Sequence, residues 1–485
     1  MTLLDHLTNV RMESLPPEIL GRVLEFLGAP DIVAFACVRY EYYLLALAHL
    51  YHVLTFYVDP YTADLTPKSV QLLVQVHSER DVRGNPLQLM DLVREIAVLP
   101  CPGPCFRVTP RAFRTLYATF YQLLRASSIK CNLRRFEWRM GCPESLDRFP
   151  LTFAAHLRVL DCAACQIDPS VLFPCLKTLA LRRARAIDGI WLTLQIQQCR
   201  LEHLSISGIN STETIQSSCF AQKAEPRLDS LKRLELEYVH VDVWLLPPAA
   251  KLEQLSLRFC TEGNDLYEPY IPNLGSLKRL EVVSVHDVWD SDSFKQMLWS
   301  CTKLEELTLL IGGRTSNIPI RALLPLRSSI QALIIEARLF SIAPALNYQY
   351  TLDDVHLLLR EMPNLRILGV TMELPGRTWS HVRPIRVHLR YLLTKAHQTL
   401  LSAQPLLQVF HLRNWLTPEQ AAMTAENMIV HLSTTPVSAE HHDTIVVMSD
   451  RCYKIARSAD GARLTTHTIQ DGLCRRYIVP WHIPT

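Results

Sequence analysis

The chain lacks the local signatures of an enzyme. It has no Gly-x-Ser-x-Gly elbow, no Gly-x-x-x-x-Gly-Lys phosphate loop and no His-Glu-x-x-His pair. No recognised spacing therefore sets a nucleophile beside a base, and no catalytic residue, cofactor site or metal site is assigned. It also lacks an excess of charge of either sign. Fifty Lys and Arg stand against 47 Asp and Glu, a formal net charge of +3, which gives no global pull toward nucleic acid or a membrane. Long apolar runs are missing too. No uncharged stretch is longer than Tyr42 to Val58, which contains His49 and His52 and falls short of the roughly 20 residues of a membrane helix. The opening Met1-Thr-Leu-Leu-Asp5-His6 has no signal-peptide character. The fourteen cysteines are accordingly expected to be reduced thiols in the cytoplasm or nucleus, not a disulfide framework.

What the chain has is one phrase that returns: Leu-x-x-Leu-x-Leu. It reads Leu157/Leu160/Cys162, Leu176/Leu179/Leu181, Leu201/Leu204/Ile206, Leu231/Leu234/Leu236, Leu252/Leu255/Leu257 and Leu277/Leu280/Val282. It goes on as Leu304/Leu307/Leu309, Ile330/Leu333/Ile335, Leu365/Leu368/Val370 and Leu407/Phe410/Leu412, with looser copies at Val93/Ile96/Val98 and Leu133/Phe136/Trp138. Most steps are roughly 20 to 30 residues, the period of leucine-rich repeats. One such unit cannot bury its apolar face alone, so the copies are expected to stack, one strand each. The fold class expected is an α/β repeat: a leucine-rich-repeat solenoid, or horseshoe, over 133–415. It follows a linker with irregular first repeats over 51–132 and precedes an α+β cap over 416–485.

The first fifty residues obey another rule. Pro16-Pro17-Glu18 opens a helix, with prolines in the first turn and a carboxylate near its positive end. Leu20, Val23, Leu24 and Leu27 recur at helical spacing, Gly28-Ala-Pro30 ends the helix, and Pro30-Asp31 opens another carrying Ile32, Phe35 and Ala36. A third amphipathic stretch runs from about Val38 through Tyr42, Leu45 and Leu47. Over 10–50, the order Leu15-Pro16-x-Glu18-Ile19-Leu20, Val23-Leu24, Leu27, Ile32 and Val38 resembles the F-box. Tyr42 stands where that motif usually carries tryptophan. The resemblance implies a three-helix domain that docks the Skp adaptor of a cullin–RING ubiquitin ligase. Leu15, Pro16, Glu18, Ile19, Leu20, Val23, Leu24, Leu27, Ile32, Val38 and Tyr42 would be the adaptor contacts. The remainder would bind a protein substrate. Combined with leucine repeats, the chain resembles leucine-rich-repeat F-box proteins of the fungal kind, and the alternative is a scaffold whose head only caps the array or binds the adaptor without building a ligase.

Within each strand the leucines should point inward and the intervening residues outward. The outward set includes Arg135, Glu137, Arg139, Asp161, Arg182, His203, Arg233, Glu235, Glu237, Gln254, Arg258, Arg279, Glu281 and Glu306. Mixed signs suit a protein ligand better than nucleic acid. Further along the same positions turn apolar, at Val283, Leu310, Ala332, Ile334 and Ile367, which predicts an exposed apolar stripe. Arg383, Arg386 and Arg390 lie in the acid-free stretch between Glu373 and Glu419 and predict a basic rim for an acidic or phosphorylated signal. The substrate face is assigned to Arg233, Glu235, Arg258, Arg279, Glu281, Glu306, Ile334 and that rim.

Cysteines that mimic reactive pairs fit the repeat instead. Cys162 fills a leucine slot, Cys165 and Cys260 fill the Asn/Cys slot, and Cys199 and Cys301 precede repeat starts. Cys101-Pro-Gly-Pro-Cys105 reads as a proline-rich loop or half a zinc site. Beyond Leu412, Thr417-Pro-Glu-Gln420 starts a helix to about His431, and Thr444–Met448, Tyr453–Ile455 and Arg463–Thr466 read as strands with an Asp460-Gly461 turn.

Overall fold

The computed structural model describes residues 16–59, 65–78, 89–100, 133–139, 155–163, 172–184, 195, 199–208, 214–215, 230–238, 240–241, 251–262, 274–284, 288–289, 291–311, 318–337, 350–370, 409–412, 444–448, 451–458 and 461–467. The chain divides into two compact units: Met1–Arg233 with Tyr238–Ala250, and Leu234–Glu237 with Lys251–Thr485. Both are of α/β class.

The first unit opens with helices α1 (Pro17–Leu24), α2 (Ala29–Ala36) and α3 (Tyr40–Leu50). Proline sits in the first turn of α1 and α2, where its missing N–H costs no bond. Leu20, Leu24, Ile32, Phe35, Tyr42 and Ala46 form the core of this head. Phe35 stacks on Tyr42 with ring centroids 4.6 Å apart.

Strands β1 (Val53–Val58), β2 (Glu95–Pro100), β3 (Arg135–Trp138), β4 (Val159–Ala163), β5 (Thr178–Ala184) and β6 (His203–Gly208) follow, each parallel to the one before. The leucine slots align in columns. Leu54, Ile96, Phe136, Leu160, Leu179 and Leu204 are successive register partners, as are Phe56, Val98, Trp138, Cys162, Leu181 and Ile206. All twelve are buried. The two-residue strand β7 (Thr214–Ile215) completes this part. The parallel sheet thus begins at Val53, inside the stretch read as linker and irregular repeats. The signal was present in the sequence: Tyr51, Leu54 and Phe56 keep the spacing of the phrase.

Strand β8 (Arg233–Glu237) lies in the second unit apart from its first residue, and the two-residue β9 (His240–Val241) belongs to the first, parallel to β7. The second unit continues with β10 (Gln254–Arg258), β11 (Thr261–Glu262), β12 (Arg279–Ser284), β13 (Glu306–Ile311), β14 (Ala332–Ala337), β15 (Ile367–Val370) and β16 (Val409–Leu412). From β10 through β16, leaving out β11, neighbours pair in parallel. Helices α4 (Pro67–Ser78), in the first unit, and α5 (Asp292–Ser300) and α6 (Leu352–Glu361), in the second, lie between strands. Ser291 caps α5 by accepting from Phe294 N–H, and Thr351 with Asp354 makes a capping box on α6.

The last strands correct the expected cap. β17 (Thr444–Met448) adds in parallel to β16, so it extends the repeat sheet, although it carries no leucine phrase. Only β18 (Arg451–Ser458) and β19 (Gly461–His467) turn antiparallel. The helix read over 417–431 lies outside the described residues.

One backbone device repeats throughout. The N–H groups of the second and third residues of a phrase both donate to the carbonyl of the second residue one strand back. Arg134 and Arg135 donate to Arg94 O at 2.7 and 3.1 Å, and Lys278 and Arg279 to Glu253 O at 2.9 and 3.0 Å.

Candidate functional site

On α1, Leu20 and Leu24 face the core and Ile19 and Val23, one turn apart, face solvent. Phe26 (87% exposed) and Val38 (64%) stand out furthest, and Val33 and Leu44 are exposed as well. Pro16 and Glu18 are exposed, and Leu27 is partly buried against the core. Leu15 lies outside the described residues. This corrects the expected contact set. Leu20, Leu24, Ile32 and Tyr42 are nearly inaccessible, so they build the head and offer no surface. Phe26, Val33 and Leu44 are exposed apolar residues outside that set. Phe26 follows the end of α1, in the turn before α2.

Many outward charges of the sheet are bound to one another. In the first unit, Glu137 and Asp161 are register partners on β3 and β4, and only 6% and 7% exposed. Three arginines neutralise them. Arg135 Nη2 donates to Glu137 at 3.1 Å, Arg139 spans Glu137 and Asp161, and Arg182 forks onto both Asp161 oxygens at 2.8 and 3.1 Å. In the second unit, Arg258 forks onto Glu281 at 3.1 and 2.9 Å, and Arg279 pairs with Glu306 at 2.9 Å. Burial alone would lower the Arg258 pKa; Glu281, with Glu237 and Glu235 behind it, more than offsets that and raises it. Arg233 is exposed at the start of β8, and Glu235 is half-buried.

The apolar stripe is overturned in part. Val283 (3% exposed) and Leu310 (0%) are buried, and Ala332 nearly so. In β12 and β13 alternation holds for four residues, after which both faces are covered, as in Val282-Val283-Ser284 and Leu309-Leu310-Ile311. Ile334 and Ile367 are half-buried. Ile334 lies in register with Gly369, where an added Cβ would come within 3.3 Å of it. Arg383, Arg386, Arg390, Cys101 and Cys105 lie outside the described residues.

Two buried thiols, Cys199 and Cys301, are unsuited to nucleophilic work. Burial pushes Cys301 up to about 12 and also raises Cys199, against weaker hydrogen bonds that lower them. A protonated, enclosed thiol is a poor nucleophile. Among the described residues no helix is long and apolar enough to cross a membrane. No protein-family model matches the chain, and no curated protein is similar to it in sequence.

Proposed function

We propose that this chain is a non-catalytic, substrate-binding subunit of a cullin–RING ubiquitin ligase of the Skp–cullin–F-box type. The head docks the Skp adaptor, which carries the cullin scaffold, and the leucine-repeat sheets, read as a solenoid, hold the protein to be modified. The observation that carries this reading is the unburied apolar set on the head: Ile19, Val23, Phe26, Val33, Val38 and Leu44. A head that already has its own core leaves these side chains in water, an arrangement that a partner surface relieves. They occur in the same segment as the Leu15-Pro16-x-Glu18 opening. Capping the strands does not account for them, because they remain exposed with α3 running directly into β1.

The test is co-purification of adaptor and cullin with the full chain from cells. The double substitution Ile19→Asp and Val38→Asp is expected to abolish both while the thermal transition stays in place, since neither residue is in the core. Retention of the adaptor by that variant would sink the docking surface. Adaptor without cullin in the wild type would select the scaffold reading.

A further inference from the structure

The second position of the leucine phrase forms a row along the edge where the strands begin, because each residue there donates its N–H to the carbonyl of its counterpart one strand back. In the first unit these links run Arg134 N–H to Arg94 O at 2.7 Å, Arg158 to Arg134 at 2.7 Å and Lys177 to Arg158 at 2.8 Å. Four successive rungs, Arg94, Arg134, Arg158 and Lys177, are therefore cations, with neighbouring strands about 4.8 Å apart. Like charges side by side on a sheet repel. Arg134 and Arg158, both exposed, form no ion pair among the described residues. Glu95, next to Arg94 in the chain, is engaged by Arg135, which also holds Glu137.

The phrase's second position is built differently further along the chain. Glu202 follows Lys177 and binds both its neighbours, Lys177 at 2.6 Å and Lys232 at 3.4 Å. In the second unit the position carries Glu253, Lys278 and Glu305 in turn, and Glu253 pairs with Lys278 at 3.4 Å. Over these positions the sign alternates, whereas the four rungs from Arg94 to Lys177, which follow His52, share one sign.

We infer that the Arg94–Arg134–Arg158–Lys177 row is a docking edge for an acidic segment of a partner protein. Three strand steps of about 4.8 Å match about five residues of extended chain. Arginine forks pair readily with carboxylates. Nucleic acid is the weaker fit, since single strands bind by stacking on aromatic side chains and no aromatic occupies the row. This inference stands apart from the adaptor-docking head and the outward sheet face: it uses neither set of residues.

The experiment uses the full chain and a fluorescent octaglutamate peptide, titrated by anisotropy at low and physiological salt. Binding is expected, weakening as salt rises. Arg134→Ser with Arg158→Ser should weaken it about tenfold, the sum of two exposed charge contacts. Lys278→Ser should change nothing. The melting temperature of the double variant should not fall, because a repulsion has been removed. Should that variant fail to fold, Arg158→Gln alone decides, with a several-fold loss expected. Absence of peptide binding, or equal binding by the variant, overturns the inference. So does tighter binding of an oligouridylate with the same number of charges through the same arginines, which would make the row a nucleic-acid contact.

Discussion

Arg258 and Glu281 face each other across β10 and β12 in a two-point fork, and Ser256 Oγ donates a third hydrogen bond to the same carboxylate at 3.0 Å. The pair sits on the outward face, partly shielded, with Glu281 the more enclosed partner. Two residues that both look like ligand contacts are thus first of all each other's contact. A double-mutant cycle of Arg258→Ala and Glu281→Ala, read by chemical denaturation, should give a coupling of about 1 kcal/mol, in line with a well-aligned but half-exposed pair. Zero coupling would mean that the fork does not persist in solution.

Leu255 is 1% exposed, whereas Glu235 is half-buried on the neighbouring outward position. Leu255→Asp should cost several kcal/mol, because it forces a carboxylate into an apolar column without a partner. Glu235→Ala should cost under about 1 kcal/mol. Equal loss of melting temperature in both would contradict the inward–outward assignment of these strands.

In the head, the Tyr42 hydroxyl is buried and has no hydrogen-bond partner among the described residues, while its ring stacks on Phe35. Tyr42→Phe keeps the stacking and removes the unsatisfied oxygen, so stability should stay level or rise by about 1 kcal/mol. Leu24→Ala, by contrast, leaves a void at a residue 1% exposed and should cost about 2 to 5 kcal/mol. Melting followed by circular dichroism separates the two outcomes.

Gly369 is buried against Ile334, and an added Cβ would lie 3.3 Å from two Ile334 carbons. Gly369→Val should overpack this step and cost about 1 to 3 kcal/mol. Ile334→Ala in the same chain should recover part of that loss by clearing the crowded atoms. If the second change only adds damage, the contact is not the cause.

Cys301 should remain a thiol when an exposed cysteine is already reactive. Its folded value is raised from 9.0 to about 12 by burial, so it favours the folded state fully below pH 9.0 and loses that contribution as pH rises toward 12. Iodoacetamide mapping on the native chain at pH 8 should label exposed Cys37 and Cys175 and spare buried Cys162, Cys199 and Cys301. Labelling of Cys301 before unfolding would refute its burial.

The leucine columns were legible in the sequence because each phrase is local: alternation sets which residues of a strand go inward, and the recurring spacing sets one strand per phrase. β-branched and turn residues located β17, β18 and β19, and prolines located the starts of α1 and α2. Helical spacing grouped Val23 with Leu20 and Leu24 on one face of α1, whereas Val23 is exposed. The packing of α2 and α3 around Leu20 made that choice. Local spacing also did not find that Arg182 belongs to Asp161 or Arg258 to Glu281, residues more than twenty positions apart that the parallel register brings within hydrogen-bond reach. Short-range periodicity is enough to define the repeat and its inward columns. Which charges neutralise one another and which, like Arg134 and Arg158 among the described residues, do not, follows from which strands lie side by side, and no local pattern carries that.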